Sequence, residues 1–420
     1  MFGTLFLKEC KEILKSVTFY IFLACMVVFF VTQMGEFEGV TKPIPGQESY
    51  GVKNSSDEKV IMNSTITELV LEYDAGEYVT YPIGFYKKVI LNEQQQKQVG
   101  EILKEITGLE GQQLKIKIKE YWDDVKSKSD GGYVNSSRLP KDKFQIKNTV
   151  SYQQFLDYMG QINDLLGGGS KYKPEDVSSN AKVPMTYEDA LKEYEDIVFK
   201  DNVSRAYSRL FSDYMGIVLG ILPVFLAVTR GLRDKRAKAS DVIFSKKASS
   251  ISIIVPRYVA TVAMILLPVL LLSITPTLQS LYCASNNGVQ VDYFAFIKVI
   301  FGWLLPTILV SVSVGFFFTE LTDGPIGILI QGVWWLVSIF LGMGNLVGNV
   351  GWNLIPRFNT VGAYEKYNEV YNQLVINRLF YSLIGIILLV ATIGIYQLKR
   401  KGALNINGKI LTNRKGKLEV

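Results

Sequence analysis

The sequence predicts an α-helical polytopic membrane protein with six transmembrane helices and an α+β domain inserted between the first two. Apolar runs long enough to cross a hydrocarbon core recur along the chain. Most of the charge lies before Arg209 or in a few short segments after it. Three segments, the amino terminus, the loop after the second span and the tail, are basic, and a six-span topology puts all three on one side. The length of 420 residues would also suit two or three soluble domains, but a hydrophobic content of 48% gathered into such runs overrules that reading.

Residues 1–17 place Phe2, Leu5, Phe6, Ile13 and Leu14 among Lys8, Glu9, Lys11, Glu12 and Lys15. That pattern fits an amphipathic helix lying on the inner membrane surface. Residues 18–34 are the first span. The run is long and MGEFEG after it offers no small-x-small cleavage site, so it reads as a retained helix rather than a signal peptide.

Residues 35–209 mix polar and apolar residues like a folded soluble domain, placed outside the cell by the topology. YVTYPIGFYKKVIL from Tyr78 has the β-branched and aromatic content of strands. EQQQKQVGEILKEI and the stretch from Leu114 to Val125 read as helices. YQQFLDYMGQINDLL sets Phe155, Met159 or Tyr158, Ile162 and Leu166 at helical spacing. GGGSKYKPEDVSSN reads as a loop or flexible linker. MTYEDALKEYEDIVFKDNVSRAYSRL, from Met185, reads as a helix running into the second span.

The later spans are residues 210–229, 256–275, 294–318, 324–346 and 378–398, with an outer, re-entrant-like segment at 347–377. Short loops rich in Lys and Arg stay in the cytoplasm. The basic segments are the amino terminus, the loop 230–255 (Arg230, Arg233, Lys235, Arg236, Lys238, Lys246 and Lys247 against Asp234 and Asp241) and the tail 399–420. Both termini are therefore expected in the cytoplasm of a multi-pass cell-membrane protein, bacterial in origin.

The chain contains no histidine, which removes the commonest general base and metal ligand. Cys10, Cys25 and Cys283 are too scattered for a disulfide framework or a zinc site. No G-x-x-x-x-G-K-[ST] sequence is present, and GGGSKY lacks the pattern. No catalytic site, metal or cofactor is expected in this chain, so ATP-driven work would need a partner to bind the nucleotide. Asp213, Glu320 and Asp323 fall at span ends, where water is expected to reach them; none sits mid-membrane as a proton-coupled carrier would prefer. Gln331 and Asn345 are candidates for bonds between helices, or for contact with a translocated molecule. The basic charge reads as topology, with membrane lipids as partners and no nucleic acid.

The layout resembles the ABC-2-type membrane subunits of ABC exporters, in the variant with a large outer domain between spans one and two. Two local sequences carry the resemblance. RGLRDKRAKASDVIFSKKASSISIIVPRYVA follows the family's order of a charged segment, a short helix, a Ser/Lys-containing turn and a KYLA-like sequence, here Arg257, Tyr258, Val259 and Ala260. Arg233-Asp234-Lys235-Arg236-Ala237-Lys238 stands where the family usually carries acidic residues and a Gly-Thr pair. The resemblance implies that this loop is a coupling helix docked on an ATPase subunit. Arg233, Asp234, Lys235, Arg236, Asp241, Lys246 and Lys247 would set its register, and Val242, Ile243 and Phe244 would be exposed anchors. Without the resemblance, the same loop reads equally as a topology signal touching lipid phosphates.

GNVGWNLIPRFNTVGAY, from Gly348, resembles the family's outer helices that cap the export path; it offers Trp352, Pro356 and Arg357 as outer-gate candidates. An ordinary outer loop with an aromatic anchor is the alternative. The function implied is export of an amphipathic, peptide-like, drug or lipid-linked molecule. The permease would work as a homodimer or beside a paralogue, with two ATPase subunits holding ATP and Mg. A surface receptor or scaffold like the phage-infection proteins, with one span, an outer domain and five further spans, is the rival reading.

Overall fold

The computed structural model describes residues 2–34, 39–82, 86–127, 143–343 and 346–404, and the chain is mostly helical. It divides into two compact units: the chain up to Lys42 together with everything from Lys192 onward, and the segment Pro43–Leu191 between them.

The Pro43–Leu191 unit is built round helix α3 (Glu58–Ala75), which packs against α4 (Glu93–Thr107), α5 (Gly111–Ser127) and α6 (Tyr152–Leu165). The starts of α3, α4 and α6 are set by caps. The Asp57 carboxylate accepts from the Lys59 N–H at 2.8 Å, and Asn92–Gln95 and Ser151–Gln154 form reciprocal capping boxes. Gly76 and Gly108 close α3 and α4 in the left-handed conformation. Phe155, Met159, Ile162 and Leu166 are all buried, as their spacing predicts.

Among the described residues the strands are limited to two ribbons of three-residue strands, so the unit as described is helical with a minor β component. Strand β1 (Val52–Asn54) pairs antiparallel with β4 (Lys182–Pro184), and β2 (Tyr78–Thr80) with β3 (Lys87–Val89). The Gly-rich stretch, read as a loop or flexible linker, is a loop packed onto its neighbours. Gly169 (φ +70°) lies so close to Tyr81 and Pro82 that a Cβ would sit 2.8 Å from the Pro82 backbone. The following Tyr172 is buried and donates to Glu72 Oε2 at 2.6 Å, while Lys171 pairs with Glu68 and Glu72 at 3.0 Å.

In the other unit four helices are long and apolar enough to cross a membrane: α2 (Val17–Met34), α12 (Ser250–Asn286), the run Ala295–Thr322 and α16 (Tyr364–Arg400). The third comprises α13 (Ala295–Val299), a π-helical turn Ile300–Leu304 and α14 (Leu305–Thr322). A fifth candidate is a broken pair, α8 (Ser204–Leu219) and α9 (Leu222–Gly231), bent by 42°. Helix α15 (Ile326–Gly342) has 17 residues, about 26 Å at 1.5 Å per residue, against a hydrocarbon core of about 30 Å. By length and composition, then, the spans among the described residues number four to five where six were expected.

Other boundaries also move. Helix α7 (Tyr187–Glu195) does not run on into the second span: a π-turn at Asp196–Lys200 and positive φ at Asn202 and Val203 interrupt it. Residues 364–377, expected in a re-entrant segment, are the first turns of α16. Both α12 and α16 have 37 residues, about 55 Å, and so outrun any bilayer.

The Ala295–Thr322 run is the centre of the bundle, with 72% of its most apolar window buried against 22% for α16. Helix α1 (Phe2–Leu14) packs along α12 and buries Glu9 and Ile13. The break between α8 and α9 leaves carbonyls without helical partners, and α15 takes them. Trp335 Nε1 donates to Ile217 O at 2.8 Å, and Gln331 Nε2 to Gly220 O at 2.6 Å. Gly220 is closely packed there: a Cβ would lie 2.7 Å from Ile355 Cδ1 and 3.0 Å from Trp335 Cδ1, so both side chains would have to shift.

Candidate functional site

The basic loop after α9 forms two short helices, α10 (Arg233–Arg236) and α11 (Ser240–Phe244), separated by a left-handed Lys238. Three groups of contacts tie it to the ends of other helices.

The first centres on Glu9 of α1, buried to 1% exposure. Its carboxylate accepts from Arg230 at the end of α9, from Arg233 Nη2 at 2.8 Å, and lies 3.5 Å from Arg257 Nε of α12. Arg257 Nη2 also donates to Asp234 Oδ2 at 2.7 Å, and Arg233 Nε to Asp234 Oδ1 at 3.2 Å. Three guanidiniums thus share two carboxylates in a water-poor site, where charge-assisted bonds are at their strongest. Burial alone would raise the Glu9 carboxyl; the three arginines outweigh it and hold it below its ordinary 4.5. Burial likewise opposes ionisation of Asp234, and Arg257 and Arg233 reverse that.

The second group lies at the α14–α15 turn. Lys235 Nζ donates to the Asp323 carbonyl at 3.0 Å, and Lys399 Nζ of α16 to Asp323 Oδ1 at 2.8 Å. Glu320 is buried, 3.9 Å from Lys399, which corrects the expectation that water reaches it. In the third group Arg400, near the end of α16, donates to the carbonyls of Phe244, Lys246 and Ala248. The loop is therefore fastened to α1, α12, the α14–α15 turn and α16.

Of the three expected anchors only Val242 is exposed, at 60%. Ile243 and Phe244 turn back on the bundle, where Phe244 meets the Tyr396 ring edge-on with centroids 5.4 Å apart beside Ile253 and Ile254. Water is the reason: a five-residue helix cannot expose three large apolar groups when α12 and α16 offer an apolar surface beside it. Lys235 is exposed although its ammonium is bonded, and Arg236, Lys246 and Lys247 are exposed with Val242. The side chain of Asp241 lies outside the described residues. Glu9, Arg230, Arg257, Asp323, Lys399 and Arg400 were missed as members of this site; every one is far away in sequence from the partner that holds it.

At the other end of the bundle two of the three expected gate residues, Pro356 and Arg357, are buried. Arg357 of strand β6 (Arg357–Phe358) is buried, not near the surface, and forms a bidentate pair with Asp213 of α8 at 2.9 and 3.0 Å. Asp213 also accepts the Phe358 N–H at 2.6 Å, so the expectation that water reaches this carboxylate fails too. Strand β5 (Val347–Asn349) pairs with β6, and the segment between them is buried at Val350, Leu354, Ile355 and Pro356. Trp352 is 69% exposed, its ring against Phe380. Arg378 of α16 ties this segment, through Leu354 O at 3.1 Å, to the π-turn and α14, through Trp303 O at 3.1 Å and Thr307 Oγ1 at 2.9 Å. Gln331 serves the α8–α9 break, and Asn345 lies outside the described residues. No family model, curated protein or solved structure matches this chain.

Proposed function

We propose that the chain is the membrane subunit of an ATP-binding-cassette exporter of the ABC-2 type. The observation that carries the reading is the fastening of one short basic loop to α1, α12, the α14–α15 turn and α16. A push on α10 or α11 would pass to α1 and α12 through buried ion pairs, and to the α14–α15 turn and α16 through hydrogen bonds to backbone carbonyls, which is what a subunit driven by an external motor needs.

In this reading the broken α8–α9 pair and the short α15 bring the spans to six, with both termini and the basic loop in the cytoplasm and the Pro43–Leu191 unit outside. The motor is a separate ATPase carrying ATP and Mg, and a second permease copy or a paralogue completes the complex. Exposed Val242, with Arg236, Lys246 and Lys247 near it in sequence, is the contact offered to the ATPase. The cargo class is an amphipathic, peptide-like, drug or lipid-linked molecule.

The experiment is affinity purification of the tagged chain from its native membrane, with ATPase activity assayed in the eluate. A stoichiometric nucleotide-binding partner, lost in the Val242→Asp/Lys246→Glu variant, supports the exporter. A pure chain without such a partner overturns it and favours the receptor reading, for which the folded Pro43–Leu191 unit would be the working part.

A further inference from the structure

A cavity of 370 Å³ opens between the start of α8, the α13–π segment and the first turns of α16. Its wall carries four cations, Arg205, Arg209, Lys298 and Arg378, against two carboxylates, Asp201 and Asp292. Asp201 is engaged by Arg209 at 2.7 and 2.5 Å. Asp292 is shared by Arg205 Nε at 3.0 Å and Lys298 Nζ at 2.7 Å.

Arg378 is 4% exposed, and its bonds run only to neutral oxygens: the carbonyls of Trp303, Asn353 and Leu354, Thr307 Oγ1 and Asn377 Oδ1. No carboxylate pairs with it among the described residues, so its charge is buried without a counter-ion, an arrangement that is costly unless something else compensates it. Arg209, 2% exposed, stacks on the Tyr367 ring 4.5 Å away, and its Nε–H is buried without an acceptor.

The rest of the lining tells what kind of anion fits. Trp303, Tyr364, Tyr367 and Tyr371 line the same cavity, the residue types that settle at the headgroup level of a bilayer. Val375 also lines it, and Leu379, one turn further along α16, is 66% exposed. An apolar track therefore leads away from a basic, aromatic-walled pocket.

We propose that this cavity binds the anionic headgroup of an amphiphile, a phosphate or carboxylate carried on an acyl tail that lies along α16. The net positive wall takes the charge, Arg378 gains its missing counter-ion, and the tail follows Val375 and Leu379. The site requires no ATPase, so it stands or falls separately from the exporter reading.

The test is equilibrium binding to the purified full chain in a neutral maltoside detergent, read by tryptophan fluorescence. The probes are dihexanoyl phosphatidic acid, dihexanoyl phosphatidylcholine and inorganic phosphate. Saturable binding of the phosphatidic acid is expected, with the other two at least about tenfold weaker, since each charge-assisted bond contributes about 1.5–3 kcal/mol. Arg205→Ala/Lys298→Ala, at two exposed positions, should weaken it by about tenfold or more. Asp292→Asn should tighten it, a gain that misfolding does not produce. Equal binding of phosphatidylcholine, equal binding of inorganic phosphate, or indifference to both variants would each overturn the proposal.

Discussion

Glu9 Oε1 accepts a hydrogen bond from Arg233 Nη2 at 2.8 Å across 224 residues of chain, while the other oxygen of the same carboxylate holds Arg230. One buried carboxylate thus joins the amino-terminal helix to the last turn of α9 and to the first turn of the basic loop. Removing its charge leaves Arg230 and Arg257 buried with only Asp234 between them. Glu9→Gln should cost about 3–5 kcal/mol, the usual penalty for breaking a buried pair from one side. A thermal melt of the detergent-solubilised chain checks it. An unchanged melting temperature would mean that water compensates the arginines.

The same pair sets a pH dependence. Glu9 and Asp234 are both held below their ordinary values. A carboxyl depressed on folding stabilises the fold at pH above its unfolded value, 4.5 for Glu9 and 3.8 for Asp234, and that contribution is lost as pH falls through the lower folded value. Melting temperatures of the wild type should therefore fall as the pH is lowered below about 4.5. The fall should be shallower in Glu9→Gln, which has already lost the titrating group.

At the far end, the Asp213–Arg357 pair makes an equally direct claim. Arg357→Ala strands a carboxylate at 0% exposure and should destabilise by about 3–5 kcal/mol. Asp213→Asn/Arg357→Met, which removes both charges, should recover much of that loss. If Arg357 instead acted only as a gate, the single variant would keep its melting temperature and alter transport alone.

How much of this was legible in the sequence depended on whether a residue's partner is near in the chain. Helix α6 was readable because Phe155, Met159, Ile162 and Leu166 stripe one face, and only one face is buried. Helix α3 was not, because it is buried on several sides and carries Ser64, Thr65 and Thr67 inside. The Thr65 and Thr67 hydroxyls donate to the carbonyls four residues back at 2.8 Å, which removes the polarity that hid the helix. The spans were readable as apolar runs, yet the break at Gly220 was not, since it is stabilised by Gln331 and Trp335, more than 110 residues on. Glu9 looked like one of several surface charges in an amphipathic helix; only three arginines from elsewhere distinguish it from Glu12. The exposed anchors were misjudged for the same reason: nothing local to Ile243 and Phe244 announces Tyr396.

Gln331 supports a smaller prediction. Its bond to Gly220 O repairs the break between α8 and α9. Gln331→Leu should cost about 1 kcal/mol, within the range measured for hydrogen bonds between membrane helices, and on the exporter reading should leave transport in place. A complete loss of transport with an unchanged melting temperature would instead make it a residue of the translocation path.

The orientation itself has a two-sided test. Gln112 of α5 and Arg236 of α10 are both exposed, and the proposed topology puts them on opposite sides of the membrane. The three native cysteines, Cys10, Cys25 and Cys283, are first changed to serine so that each introduced thiol reports alone. Gln112→Cys should then react with an impermeant maleimide in intact cells. Arg236→Cys should react only after the membrane is opened, because the basic loop is held inside by the charges that surround it. The reversed pattern would place the Pro43–Leu191 unit in the cytoplasm, remove the basic loop from any cytoplasmic ATPase and end the exporter reading. Labelling of both thiols in intact cells would show instead that the α8–α9 pair turns back without crossing, which would make the bend at Gly220 a re-entrant loop rather than a span.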